Sequence, residues 1–290
     1  MKRILITGKN SYIGQNVIRW LGKSPNEYMV DTISVRDDLW KDVDFGHYDV
    51  ILHLAGIAHV STDPKMEELY YRVNRDLTIE LAKKAKADGV SQFIFMSSII
   101  VYGDASTVEN PITRETIPKP TNFYGNSKLQ AEEGIKGLED DNFRIVIIRP
   151  PMIYGKDSKG NYAKLAKLAR ITPVFPDIDN QRSMLHIDNL CEFVRIIIDN
   201  IDRGTFFPQN KEYVKTSEMV KLIVEIHDKT IILTKVFNPI IKVLIGRSLL
   251  LDKIFGNLRY DFSISNQVQG YQVVDLRQSL IRTESSDAHE

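Results

Sequence analysis

The first half of the chain alternates short apolar runs with longer amphipathic stretches: Arg3–Thr7, Ile13–Leu21, Asp31–Val35, Val50–Ala55, Met66–Ala87 and Phe93–Ser97. Short strands alternating with helical stretches pair in parallel through crossovers, which predicts a doubly wound α/β sheet. The rhythm continues with a helix over Asn122–Lys136 and a strand over Arg144–Arg149. Beyond Pro150 it loosens into loops, with helices at Met184–Asn200 and Ser217–His227 and an apolar tract from Ile231 to Leu258. The change of rhythm predicts a main domain over residues 1–150 and a smaller C-terminal domain over 151–283, some of whose elements return to the main sheet. The polar end, 284–290, reads as a frayed tail.

Composition narrows the partners. The 290 residues are 43% hydrophobic and 26% charged, with 38 Lys+Arg balanced by 38 Asp+Glu, the profile of a globular protein. Zero net charge argues against nucleic acid, whose phosphates call for a basic excess, and leaves a small molecule. The lone cysteine, Cys191, can form no internal disulfide and has no zinc-cluster neighbours. The N-terminal apolar run ending at Thr7-Gly8 is too short for a signal-peptide core, so a cytoplasmic location is expected. Pro239, Lys242, Gly246, Arg247, Asp252 and Lys253 interrupt the apolar tract, which therefore offers no span of about 20 apolar residues. Its first reading is core, pocket or subunit packing; its second is an amphipathic helix touching a membrane surface.

The strand Arg3–Ile6 runs into a turn, Gly8, Asn10, Ser11, Tyr12, Ile13, Gly14, and then into a helix. A pyrophosphate needs backbone N–H groups at a helix N-terminus, with glycine where a side chain would block its approach. Gly8 and Gly14 supply the outer glycines of a dinucleotide fingerprint whose middle position is Ser11. After the second strand, Arg36 would favour a cofactor with a 2′-phosphate, and Asp37 one without it; the balance tips slightly to NADP over NAD. The buried run ending Leu54-Ala55-Gly56 is small enough to let backbone approach the adenosine side. Asn74 is an interior polar residue in a helical stretch, where helices do not favour it. His53, in an apolar strand, reads as a satisfied core histidine, and His59 and His186 lack metal-ligand spacing, so no metal is assigned.

Tyr124 and Lys128 stand four apart and share a helix face. A free tyrosine near pKa ~10 is a poor base at neutral pH, and a lysine cation with a cationic nicotinamide nearby would favour the phenolate. Ser98 follows a strand at the carboxyl edge where open parallel sheets bind ligands, and Ser97 competes with it.

Thr7-Gly8, Tyr12-Ile13-Gly14, His53-Leu54-Ala55-Gly56, Asn74, Ser97-Ser98, Tyr102-Gly103, Tyr124 to Lys128, Arg149-Pro150, Tyr154-Gly155 and Arg182 to Asp188 stand in an order that resembles the extended short-chain dehydrogenases, the NAD-dependent epimerase/dehydratase group. The resemblance covers residues 1 to about 230 and implies a Rossmann-type domain with a smaller C-terminal substrate-binding domain. It implies that Ser98, Tyr124 and Lys128 are catalytic, that Gly8, Gly14, Ala55 and Asn74 contact the cofactor, and that Arg182 contacts a substrate diphosphate. Ile99-Ile100 stand where dehydratases of this group carry Asp-Glu, which argues against elimination, and Met152 replaces an asparagine that helps hold the nucleotide-sugar. The expected function is C4 epimerisation of a nucleotide-hexose, UDP-linked, by a homodimer in polysaccharide biosynthesis. The alternatives are a 4-ketoreductase, an epimerase of a lipid-linked diphosphate sugar, and a non-catalytic dinucleotide sensor.

Overall fold

The computed structural model describes residues 1–8, 10–57, 63–103 and 110–285. Strands β1 (Lys2–Thr7), β2 (Tyr28–Ile33), β3 (Val50–His53), β4 (Gln92–Met96) and β5 (Arg144–Ile148) alternate with helices α1 (Tyr12–Leu21), α2 (Glu67–Tyr70), α3 (Leu77–Ala87) and α4 (Phe123–Lys136). After Pro150 come β6 (Met152–Tyr154), α5 (Asn161–Ile171), β7 (Val174–Pro176), β8 (Met184–His186), α6 (Ile187–Asn200), β9 (Gly204–Phe206) and α7 (Thr216–Ile226). The chain closes with β10 (Ile232–Thr234), α8 (Asn238–Leu244), α9 (Leu249–Phe255), α10 (Phe262–Ser265) and α11 (Leu276–Glu284). The main sheet is parallel, in the order β2-β1-β3-β4-β5-β9, with parallel pairs β6-β8 and β7-β10 beside it. The doubly wound α/β sheet expected from the alternation is the one observed.

Strand side chains point alternately to the two faces, and both faces are covered. Ile4, Ile6, Val50, Leu52, Ile94, Met96, Val146 and Ile148 pack under α1 and α6. Leu5, Ile51, Phe93, Phe95, Ile145 and Ile147 pack under α3 and α4. Helix α6 and strand β9 come from beyond Pro150 yet complete this sheet. A separate core, around Tyr154, Tyr162, Phe175, Met219 and Leu280, holds much of the second half, and a smaller cluster joins Phe207, Tyr260 and Ile264 to Ile99, Val101 and Tyr102.

Four expectations change. The stretch Met66–Ala87 is not one helix: a π-helical turn, Tyr71–Asp76, separates α2 from α3 around the fully buried Asn74. Met184–His186 is strand, buried and paired with β6, and His186 then caps α6 through Nδ1, which accepts from the Asp188 N–H at 3.2 Å. The apolar tract divides into β10, α8 and α9. Glu284 is not frayed: it ends α11 and accepts from the Tyr162 hydroxyl at 2.6 Å, with His227 Nε2 2.7 Å from its other oxygen. Residues 286–290 lie outside the described part.

A buried ion pair locks the carboxyl edge of the sheet. Arg149, just past β5, meets the fully buried Glu132 of α4 through Nη2 at 2.5 Å and Nε at 3.0 Å. The Ser97 hydroxyl donates to the same carboxylate at 2.5 Å, Arg149 Nη1 donates to the Tyr102 hydroxyl at 2.6 Å, and the Tyr260 hydroxyl donates to the Arg149 carbonyl at 2.8 Å. Removing one partner of such a pair strands the other charge. Glu132→Gln is therefore expected to cost about 3–5 kcal/mol in urea unfolding, and Glu132→Gln with Arg149→Met to recover much of that loss. A single-variant loss below about 1 kcal/mol would mean that water or a neighbour relieves Arg149.

Candidate active site

β1 delivers its last residues to the turn that opens α1. Gly8 has φ 86°, in the left-handed region that glycine favours, and a Cβ there would lie 3.1 Å from the Ala55 N. Ser11 is extended, at φ −72° and ψ 143°, so the middle position of the fingerprint needs no glycine. Its N–H donates to the Gly8 carbonyl at 2.8 Å, and its Oγ caps α1 by accepting from the Gly14 N–H at 3.0 Å. A Cβ on Gly14 would meet Ser11 Oγ at 2.7 Å, so glycine there leaves the Ser11 cap undisturbed. With Asn10, Tyr12 and Ile13 around the cap, the turn fits a dinucleotide pyrophosphate: a helix start, with no side chain filling the approach at Gly8. Arg36 and Asp37 are exposed past β2, and the Asp37 carboxylate accepts from the Leu39 N–H at 3.2 Å.

A directed chain of hydrogen bonds runs from this turn to α4. Thr78 Oγ1 donates to the Asn74 carbonyl at 2.7 Å, so it accepts from His53 Nε2, 2.9 Å away. His53 Nδ1 is then an acceptor, taking the Thr7 hydroxyl proton at 2.7 Å, and Thr7 Oγ1 accepts in turn from the N–H groups of Leu54 and Ala55. Burial and the Lys128 charge push His53 down to about 3, so it stays neutral. Asn74 Oδ1 accepts from the Ile57 N–H at 2.8 Å, while its Nδ2 donates to the Ile57 carbonyl at 3.2 Å and Ser127 Oγ at 3.1 Å. These bonds fix Asn74 in the pocket wall between Ile57 and Ser127.

Lys128 enters that wall. Its Nζ donates to the Met96 carbonyl at 2.9 Å and lies 4.6 Å from the Phe95 ring centroid. A Cβ on Gly56 would come within 3.3 Å of Nζ, so Ala55-Gly56 joins the pyrophosphate turn to Lys128. Tyr124, one turn earlier on α4, is brought in by Gly125: a Cβ there would meet the Ile100 carbonyl at 2.8 Å, and only glycine lets α4 settle onto the turn after β4. Asn122 caps α4 through the Gly125 N–H at 2.8 Å. The Ser98 hydroxyl accepts from the Ile100 N–H at 3.3 Å and stands near enough to Tyr124 to favour its phenolate, whereas Ser97 is turned to Glu132. Burial holds the Tyr124 phenol up at about 12 and the Lys128 ammonium down at about 8. The protein groups around Tyr124 do not by themselves produce a low phenol pKa: desolvation outweighs the lowering influence of Ser98.

Arg182 lies in the second half. Its Nη1 donates to the Gly256 carbonyl at 2.7 Å and the Asp252 carbonyl at 3.3 Å, and its Nε is buried without a hydrogen-bond partner. Burial alone lowers the guanidinium to about 10. Asp188 is taken by Arg282 at 2.6 Å and is not its partner. Ile99 is buried, Ile100 and Met152 half-buried; His59 lies outside the described residues. Glu132, Arg149, Thr7 and Thr78 were not among the sequence candidates. A glutamate one turn after Lys128, on a face continuing to Ala131 and Ile135, was the available signal.

The profile of the NAD dependent epimerase/dehydratase family matches residues 4–208. The chain is 32% identical over 303 residues to a UDP-glucose 4-epimerase of Vibrio cholerae, across 93% of this chain and 90% of that protein. It is 29% identical over 220 residues to the N-acetyl-alpha-D-glucosaminyl-diphospho-ditrans,octacis-undecaprenol 4-epimerase of Escherichia coli O157:H7, across 69% of this chain and 64% of that one. RMD from Pseudomonas aeruginosa complexed with NADPH superposes with a TM-score of 0.76 at 22% identity, across 98% of both chains, a likeness of fold.

The neutral His53 has a measurable consequence. Its folded pKa, about 3, lies below the ordinary value of 6.5, so the unfolded chain binds the extra proton between these values. Its contribution to stability is complete above pH ~6.5 and is lost as pH falls toward ~3, at up to about 1.4 kcal/mol per pH unit. Urea midpoints across that window should fall less steeply in His53→Gln; an unchanged slope would mean that His53 is charged in the fold.

Proposed function

The chain belongs to the NAD dependent epimerase/dehydratase family, and on that premise we propose that it moves hydride at C4 of a nucleotide-linked hexose and so epimerises it. The observation that carries this reading is the buried Tyr124 beside Ser98, one helical turn from a Lys128 that abuts Gly56 next to the turn opening α1.

Tyr124 takes the proton of the C4 hydroxyl while Ser98 donates a hydrogen bond to the same oxygen. Lys128, fixed on the Met96 carbonyl, holds a positive charge beside the developing phenolate. When bound, NAD or NADP supplies the hydride acceptor and a cationic ring that favours the phenolate further. Gly8, Asn10, Ser11, Tyr12, Ile13 and Gly14 would hold its pyrophosphate, and Leu54, Ala55 and Gly56 would line its adenosine side. Once the keto sugar has turned over in the site, Tyr124 would return the proton to its oxygen, and C4 would be inverted. Ser98 is followed by Ile99 and Ile100, which offer no acid–base pair for water loss.

The buried Arg182, paired with no carboxylate among the described residues, suits a sugar diphosphate: a guanidinium fork offsets phosphate charge with parallel hydrogen bonds. Residues 151–283 thus supply the substrate side, and the Vibrio cholerae relative makes UDP the first nucleotide to try. A second reading, an NADP-dependent 4-ketoreductase, is favoured by the exposed Arg36 with Asp37 engaged on Leu39.

The purified protein is expected to interconvert UDP-glucose and UDP-galactose, or their N-acetyl counterparts, without net consumption of cofactor. Stoichiometric NADPH oxidation by a 4-keto sugar, with no interconversion, would establish the reductase instead. Tyr124→Phe should lower kcat by about 10²–10⁴ and leave cofactor affinity nearly unchanged. Ser98→Ala should cost less, and a larger catalytic loss in Ser97→Ala would transfer the role to Ser97.

Arg182→Ala should raise KM for the nucleotide-sugar by at least about tenfold, with Arg182→Lys recovering part, since charge returns without the fork. An unchanged KM would remove Arg182 from the substrate.

A further inference from the structure

The chain has no net charge, yet residues 229–251 hold Lys229, Lys235, Lys242 and Arg247 and no carboxylate. The same stretch carries the densest run of outward apolar side chains among the described residues: Val236 is 77% exposed, Ile240 65% and Val243 60%, with Phe237 and Leu244 also open. This surface is held in place. Ile241 anchors α8 in the second core, Asn238 Nδ2 donates to the Asp177 carbonyl at 2.9 Å, and the Gly246 N–H past the helix donates to Asp252 Oδ1 at 2.6 Å. With Ile241 inward, the rest of the helix surface is turned to the outside.

We propose that this segment docks the protein on an anionic lipid surface. Apolar side chains flanked by lysine and arginine fit the boundary between headgroups and acyl chains, where the stems are buried and the charges meet lipid phosphates. Charge disfavours the other simple occupant: a second copy meeting this face would bring the segment's cations against their own kind, with only bordering carboxylates, such as Asp252 at Gly246 and Asp177 near Lys235, to offset them. The contact is peripheral, since no helix among the described residues is long and apolar enough to cross a membrane. It does not depend on the sugar chemistry proposed above.

The test is co-sedimentation of the full chain with vesicles of phosphatidylcholine, alone or with about 30 mol% phosphatidylglycerol. Binding is expected to the anionic vesicles, falling several-fold as salt is raised to about 0.5 M, because the electrostatic part is screened. Ile240→Asp with Val243→Asp, both at exposed positions, should lower the bound fraction about tenfold or more at an unchanged melting temperature, and Lys235→Glu with Lys242→Glu should do so for anionic vesicles. The proposal is overturned if the wild type ignores anionic vesicles, or if variants that melt normally bind as the wild type does. It is also overturned if Ile240→Asp abolishes a dimer seen by light scattering while vesicle binding is absent, which would make the face a subunit interface.

Discussion

The Arg149–Glu132 pair sets the geometry around which the carboxyl edge of the sheet is arranged. It joins the end of β5 to the middle of α4 in a site with almost no solvent, and the same two groups collect Ser97, Tyr102 and Tyr260. A buried charge pair tolerates little displacement, because neither partner can be left alone. Ser98 is the next residue after Ser97, and Lys128 and Tyr124 precede Glu132 on its helix by one and two turns. The triad candidates thus inherit their separation from a contact that none of them makes.

Around that clamp the site is neutral. His53 is kept uncharged and bonded at both ring nitrogens, and through Thr7, Thr78 and Asn74 it links the pyrophosphate turn to Ser127, the neighbour of Lys128. Desolvation disfavours the charged form of both groups that would titrate in the proposed reaction, raising Tyr124 and lowering Lys128. Each charge is costly alone in such surroundings and favourable beside its opposite, so a phenolate and an ammonium stabilise each other there more than in water. In the proposed reaction, proton release from Tyr124 would therefore depend on positive charge brought beside it.

The second half is built on another principle. Its core is smaller, its strands are short, and it leaves Arg182 buried without a carboxylate and the α8 surface apolar and basic. Both are poor choices for stability alone, and both face something with phosphate chemistry in the readings above: a sugar diphosphate inside, a lipid headgroup outside.

What the sequence determined by itself is local. The alternation of strands and helices, the glycines of the pyrophosphate turn, Tyr124 and Lys128 on one helical face and a serine at the end of β4 follow from periods and spacings that a chain fixes within a dozen residues. Even there the middle of the fingerprint misleads, since Ser11 reads as a defect and folds as the cap of α1. Tertiary structure decided the partners. It turned Ser97 to Glu132 and left Ser98 free of that clamp, gave Asp188 to Arg282, buried the Asn74 amide on Ile57 and Ser127, returned α6 and β9 to the first sheet, and pinned Glu284 onto Tyr162. A period states which way a side chain faces relative to its own strand or helix. It does not state what arrives opposite from far along the chain, as Glu284 does at Tyr162 from 122 residues away, and for buried polar groups that arrival determines protonation, orientation and chemistry.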